Sequence, residues 1–463
     1  MTPSPRWAVV GLALSMLLSS IGTSVANVAL PTLAEAFDAS FPAVQWVVLT
    51  YLLAITVAIV GAGHLGDTLG RRRVLSAGTA LFTVASILCC LAPTLGALIA
   101  ARALQGLGAA VLMALTMALV RDTVPRAKMG GAMGLLGTMS AVGTALGPSL
   151  GGLLLAGPGW RAIFGVLAPL GVLNLVLVHR HLPADHRRTA QSTFDVRKTL
   201  LLALALAAYS LAVTIGAGVL TGVLLAAVGL GLFALPALRR RMVRDPALSS
   251  GLAANTLVST VMMTTLVVGP FYLSRALGLD AAVTGLVMSA GPVISALTGV
   301  PAGRVVDRRG APFAVLAGLV AMAAGTIALT TLPAMWGLTG YLAAMAVLTP
   351  GYQLFQAANN TAVMLDVASD RRGAVSGMLT LSRNLGLITG ASVMGTVFAH
   401  ASSTLDLAAG PGDVASGMRV AFATSAALIG VAIVVSLAGR GPTAGVRGRK
   451  AASSRTAAVG ARG

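Results

Sequence analysis

The sequence predicts an all-α integral membrane protein of fourteen transmembrane helices, twelve in two six-helix bundles built as parallel repeats and two inserted between them. Three observations carry this prediction. Hydrophobic residues make up 56% of the 463-residue chain and charged residues 10%, where soluble domains average roughly 45–50% and 25%; no soluble packing could hide that apolar surface. The apolar residues fall in runs of about 20, the length a helix needs to cross hydrocarbon with its backbone satisfied, and the alternation that marks a β-barrel is absent. Finally, Gly63, Asp67 and Gly70 recur as Gly303, Asp307 and Gly310, each displaced by 240 residues.

Taken in order, the runs place a first bundle at 7–180, with helices at about 7–31, 43–66, 74–93, 95–120, 130–156 and 160–180. A cytoplasmic loop follows at 181–198, then two inserted helices within 199–238, at 199–217 and 219–238. The second bundle, 251–438, holds helices at 251–273, 282–303, 312–332, 337–362, 374–399 and 417–438. Residues 439–463 are Gly, Ala, Ser and Arg without apolar periodicity, a disordered basic cytoplasmic tail. The repeat pairs helices one to six with nine to fourteen, so both halves enter the membrane in the same sense, related by an axis along its normal, with a cavity expected at their interface near the midplane. The first run follows Arg6 and has small residues near Ala26, but it is longer than a signal-peptide core and reads as an uncleaved span.

The basic residues orient the chain. With the N-terminus inside, Arg6, the clusters at Arg71 to Arg73, Arg121 to Lys128, Arg180 to Lys198, Arg239 to Arg244, Arg304 to Arg309 and Arg371 to Arg372, and the tail fall on one side, which then carries 27 of the 32 Lys and Arg. The positive-inside rule makes both termini cytoplasmic in a multi-pass protein of the cell membrane. It also accounts for the net charge of +19 without nucleic acid. Trp7, Trp46, Trp160 and Trp336 all sit at predicted helix ends, where an aromatic belt would place them. Cys89 and Cys90 are adjacent in an apolar run, which suits helix packing and neither a disulfide framework nor a metal site.

Three motifs stand out. The turn from Gly63 to Arg73 contains His64, Asp67, Gly70 and Arg71. Residues 61–66 formally match a dinucleotide fingerprint, but that needs a preceding strand, and here a membrane helix precedes an arginine turn. The glycines are expected to let helix two approach a neighbour. Helix four carries Arg102, roughly 10 Å from the helix start at 1.5 Å per residue; an arginine at that depth is functional by default unless it snorkels to the surface. Helix five carries Gly143, Gly147 and Gly151 on one face, with Pro148 removing a backbone donor beside them.

At these motifs the chain resembles the major facilitator superfamily, in particular its fourteen-helix drug:proton antiporters. Further similarity lies in Val44 to Val48 with Tyr51, Asn27 to Pro31, Gly159 to Phe164, Pro270 to Leu273 and Ser382 to Gly386, so that the resemblance covers about residues 5 to 438. It implies alternating access by rocking of two bundles, proton entry driving export of an amphiphile, antibiotic or metabolite. Gly63, Asp67, Gly70, Arg71, Gly303 and Asp307 would then latch the halves in the outward-facing state, Gly143, Gly147, Pro148 and Gly151 would shape the interface, and Arg102 with Asp67 would serve proton coupling. The chain departs from the family at Ser20 to Ser24, where many relatives carry an acid; its thirteen carboxylates lie in loops or near helix ends. His64 is a further protonatable group beside Asp67.

Arg383 falls about ten residues into helix thirteen, near the midplane, with no carboxylate expected at that depth. Either carbonyls, Asn384 and water satisfy it, or it meets an anionic group on the substrate. The remaining cavity candidates are Ser24, Asn27, Asn255, Tyr352, Gln353, Gln356, Asn359 and Asn360, with Met113, Met117, Met262 and Met263 as soft walls. That set suits a neutral or weakly anionic amphiphile better than a dication. The expected partners are a small amphiphilic molecule, protons and the lipid bilayer, with no nucleic acid, no metal, no cofactor beyond the proton gradient, and a monomeric assembly. No metal cluster, nucleotide loop or paired buried carboxylates suggests an enzyme. The competing readings are an importer, a narrow-specificity metabolite transporter of the same fold, and a non-transporting membrane sensor or scaffold.

Overall fold

Backbone in hydrocarbon must satisfy its own hydrogen bonds, and the chain does so with helices alone. The computed structural model describes residues 5–124, 129–182, 208, 246–364, 372–402 and 410–439, and among these there is no strand. The first half comprises α1 (Pro5–Ala36), α2 (Phe41–Leu69), α3 (Arg71–Leu91), α4 (Leu95–Thr123), α5 (Met129–Ala156), α6 (Trp160–Gly165) and α7 (Leu167–His181). The second comprises α8 (Pro246–Phe271), α9 (Ala281–Arg309), α10 (Ala311–Met364), α11 (Arg372–Thr389), α12 (Gly395–Ala401) and α13 (Pro411–Ala438). Ten helical stretches among the described residues are long and apolar enough to cross a membrane. The helices expected at 199–217 and 219–238, apart from Ala208, lie outside the described residues, as do the loop after Leu182 and the tail after Gly439.

The repeated glycines of the turn motif have a backbone reason. Gly70 (φ 102°) ends α2 and Gly310 (φ 82°) ends α9, each donating its N–H to the carbonyl four residues back, and the next helix begins at the following residue. Positive φ disfavours any residue with a Cβ, so the sharp reversal needs glycine in both halves. The two helices expected at 312–332 and 337–362 run together as α10, whose 54 residues would extend about 80 Å if straight. They are folded at Gly337 (φ 54°, ψ −126°). A Cβ on Gly318 would fall 2.6 Å from Phe355 N, on Gly325 2.6 Å from Leu348 Cα, and on Gly351 2.9 Å from Met322 N; each pair is symmetric about the Trp336–Gly337 junction, which is the register of an antiparallel hairpin.

Two predicted helices are interrupted by wider turns. After Pro270, which has no N–H to give to the preceding turn, Tyr272–Ala276 form a π turn, and Gly390–Met394 form another between α11 and α12. The span expected at 160–180 is divided between α6 and α7 at Val166.

The halves repeat in packing as well as in sequence. A Cβ on Gly143 would fall 2.8 Å from Ser20 Cβ of α1, and one on Gly386 would fall 2.6 Å from Ser259 Cβ of α8. Gly147 and Gly390 repeat these contacts four residues further on, against Ser24 and Met263. Large apolar side chains such as Leu91, Leu153, Leu297, Val300 and Val434 are exposed around the perimeter, as a lipid-facing surface requires. The aromatic belt needs one correction: Trp7 and Trp336 are exposed, but Trp160 is turned inward, its ring 5.2 Å from that of Phe37 at the end of α1.

Candidate functional site

Arg102 does not snorkel. Its side chain is fully buried, with Nε donating to Val47 O of α2 (2.9 Å) and Nη1 donating to Gly22 O of α1 (3.0 Å) and to Gln105 Oε1 one turn along α4 (2.5 Å). The guanidinium carbon stands 4.0 Å from the centre of the Tyr51 ring, a cation–π distance. Tyr51 in turn donates to Ser19 O (2.9 Å), and Gln105 Nε2 donates to Ser86 Oγ of α3 (2.8 Å). A Cβ on Gly22 would lie 2.7 Å from the Tyr51 hydroxyl, so the bare backbone there lets the tyrosine and arginine approach α1. Four helices are thereby joined through one charge with no carboxylate beside it among the described residues. Nη2 alone has no hydrogen-bond partner among the described residues.

A cavity of about 330 Å³ lies between the halves. The first half contributes Ser140 and Thr144 of α5; the second contributes Met262, Thr265 and Leu266 of α8, Met288, Gly291, Pro292 and Ser295 of α9, Tyr341, Met345, Thr349, Tyr352, Gln353 and Gln356 of α10, and Arg383 and Leu387 of α11. Gln356 donates to the Tyr352 hydroxyl (3.1 Å), Gln353 donates to Ser295 Oγ, and the Tyr341 hydroxyl donates to Met288 Sδ (3.8 Å). Thr349 Oγ and Gln356 Oε1 are buried without hydrogen-bond partners among the described residues. Arg383 is exposed to this space and, among the described residues, forms neither hydrogen bond nor ion pair.

Of the residues the sequence nominated, Met262, Tyr352, Gln353, Gln356 and Arg383 meet in the cavity. Ser24, Asn27, Met113, Asn255 and Asn359 do not. Ser24 donates to Ser20 O (3.1 Å) and Gly143 O (3.3 Å) in the α1–α5 contact, and Asn27 donates to Thr23 O (3.2 Å) on its own helix. Asn255 ties α8 to α11 through Leu379 O (3.0 Å) and Ser382 Oγ (2.8 Å). Asn359 is buried, and Met113 packs against the apolar core. Sequence reasoning missed Ser140 and Thr144, and also Tyr341, Met345 and Thr349, which continue the nominated Tyr352 and Gln356 as one stripe whose spacing of three and four marks one helix face.

The glycine motifs separate by location. Gly143, Gly147 and Gly151 face α1, whereas Pro148 and Gly152 face α9: a Cβ on Gly285 would strike Pro148 O and lie 2.8 Å from Gly152 Cα. This contact is at the end remote from the arginine turns. There, too, the rings of Phe41, Phe271 and Phe398 stand 4.6–6.0 Å apart, Glu35 pairs with Arg275 (3.5 Å), and Gly395 packs against Gln45. The halves therefore meet at that end. At the arginine end, a Cβ on Gly61, Gly63, Gly299 or Gly303 would meet nothing within 4 Å among the described residues. The expectation that the turn glycines let helix two approach a neighbour holds at Gly66, where a Cβ would strike the Leu115 side chain of α4, and not at Gly63, which faces open space among the described residues. Asp307 is exposed and Arg71 has interactions of its own, while the side chains of His64 and Asp67 lie outside the described residues.

A cavity between two repeated helical halves, joined at one end and parted at the other, is the geometry of a carrier. The model of the Major Facilitator Superfamily matches residues 12–391 and again 251–460. The chain belongs to the Major Facilitator Superfamily. It is a superfamily transporter, embedded in the membrane by multiple apolar helices. It is 33% identical to the multidrug resistance protein Stp of Mycobacterium tuberculosis, over 86% of this chain and 76% of that one. It is 28% identical to the riboflavin transporter RibZ of Clostridioides difficile, over 85% and 89%. Among solved structures, a bacterial homologue of the human lysosomal transporter Spinster superposes with a TM-score of 0.74 at 16% identity, covering 95% of this chain and 98% of that one, a likeness of fold.

Proposed function

We propose that this superfamily member is a fourteen-helix exporter of small hydrophobic or amphiphilic compounds, driven by proton entry and working by alternating access. The observation that carries this reading is the cavity lying between halves that are joined at one end by Gly152–Gly285, the phenylalanine cluster and Glu35–Arg275, and parted at the other. With the arginine-rich end cytoplasmic, as the positive-inside rule has it, this is the inward-facing, substrate-loading state. The open space around Gly63 and Gly303 supports their role, with Asp67, Gly70, Arg71 and Asp307, as the latch that closes that end in the outward-facing state. Gly143, Gly147, Pro148 and Gly151 shape the surface on which the halves rock. The multidrug proteins among its relatives support export of a drug-like amphiphile.

Arg102, linked to α1 at Gly22, is the group through which protonation is coupled to the packing of the first half, with His64 and Asp67 at the cytoplasmic end. RibZ favours a second reading, a narrow-specificity metabolite transporter. The test is accumulation of dyes, antibiotics and riboflavin in inverted vesicles containing the full chain, with and without an uncoupler. Uncoupler-sensitive accumulation of several unrelated compounds is expected; accumulation of riboflavin alone would establish the second reading, and no accumulation of any would reject both.

A further inference from the structure

We infer that the cavity receives its substrate as an organic anion, with Arg383 as the group that holds the negative charge. This rests on the transport reading above and names the substrate class of the same site. Among the described residues seventeen line the cavity, and of these Arg383 is the one with a formal charge. It stands eleven residues along α11 from Arg372, about 16 Å at 1.5 Å per residue, half the thickness of a hydrocarbon core of roughly 30 Å. At that depth a cation is destabilising unless something compensates it. Arg102 shows how this chain neutralises an arginine with protein groups: two carbonyls, an amide oxygen and an aromatic face. Arg383 has no such set among the described residues, and it lines the cavity as an exposed side chain.

The repeat argues that this is not a packing residue. Gly386 of α11 corresponds to Gly143 of α5 in its contact with the neighbouring helix. Three residues before each of them stand Arg383 and Ser140, and both line the cavity. The same helix–helix contact is therefore built with a serine in one half and an arginine in the other. The charge answers to what enters the cavity. A planar fork of N–H donors matches a carboxylate or sulfonate. The unpartnered hydroxyl of Thr349 offers a donor to other substrate oxygens, and Met262, Met288 and Met345 supply adaptable apolar walls. A cation entering this space would meet repulsion and, among the described lining residues, no counter-charge.

The experiment uses the purified full chain in detergent and three probes on one ring system: 2-naphthoate, 2-naphthamide and a 2-naphthyltrimethylammonium salt. Wild type is expected to bind the anion at least about tenfold more tightly than the amide, about 1.4 kcal/mol, and the cation most weakly. Arg383→Gln should abolish the preference while eluting as the same monodisperse species, Arg383→Lys should retain part of it, and Arg383→Glu should reverse it toward the cation. Equal affinity of wild type for all three probes, or an anion preference that survives Arg383→Gln, would overturn the inference. Vesicle accumulation separates the two readings. Arg383-dependent naphthoate binding without transport leaves the anion site standing and removes the exporter. Uncoupler-sensitive export of cationic or neutral compounds, unchanged by Arg383→Gln, does the reverse.

Discussion

Arg102 and Arg383 both lie well inside apolar helices of this chain, and the protein treats them in opposite ways. Arg102 is enclosed by α1, α2 and α4, its charge spread over Val47 O, Gly22 O, Gln105 and the Tyr51 ring. Arg383 stands on the cavity wall with its guanidinium uncommitted. One charge is used to hold helices together and the other is displayed to the space between the halves. The difference teaches that an intramembrane arginine is not a role in itself. What surrounds it decides whether it is a joint or a receptor.

Substitution should separate the two most sharply in stability. Arg102→Met removes three charge-assisted hydrogen bonds and leaves Gln105 Oε1 buried without its donor; the expected loss is roughly 3 kcal/mol, read as a lowered melting temperature of the solubilised protein, together with loss of transport. An Arg102→Met protein as stable as wild type would show that the joint is dispensable. Gly285→Val acts on one conformation rather than on the fold. Its side chain would collide with Pro148 O and Gly152, an overpacking of roughly 1–3 kcal/mol confined to the state in which α5 and α9 touch. Transport should fail, and an introduced Gly63→Cys should be alkylated more slowly because the arginine end closes; an unchanged labelling rate would mean that this contact does not control the state.

Glu35→Gln breaks the 3.5 Å pair with Arg275, but Glu35 is 68% exposed, and a solvated pair contributes under about 1 kcal/mol. Glu35→Gln should therefore slow Gly63→Cys labelling slightly, in the same direction as Gly285→Val; an acceleration would be inconsistent with both contacts acting on one equilibrium. Arg383→Gln should change melting by the least, within about 0.5 kcal/mol, because no group among the described residues loses a partner. A large destabilisation would contradict the comparison by making Arg383 a joint as well.

Much of the architecture was legible in the apolar runs and the turn glycines. Gly70 and Gly310 recur because the backbone reverses with positive φ at both, and the expected division near 332–337 is the α10 hairpin at Gly337. The π turns at Tyr272–Ala276 and Gly390–Met394 were not legible, since one extra residue in a turn leaves an apolar run looking the same. The cavity was half legible. Tyr352, Gln356 and Arg383 reach it, while Asn27 and Asn255, equally polar, spend their amides on backbone carbonyls and a serine hydroxyl. Ser140 and Thr144 were overlooked because hydroxyls in membrane helices so often bond back to their own turn, as Thr144 does to Ser140 O (3.0 Å).

By itself, the sequence determined that apolar helices of membrane-crossing length make up the described chain, where it turns at Gly70 and Gly310, and that these turns occur twice, because span length, backbone satisfaction and glycine's access to positive φ are local constraints. Tertiary structure decided which polar side chains face the cavity, which arginine is wrapped and which is bare, and which end of the bundle is joined. The physical reason is that lipid is as apolar as a protein interior. A soluble helix shows its buried face by contrast with water, but a membrane helix has apolar surroundings on both sides, and only its neighbours fix its rotation.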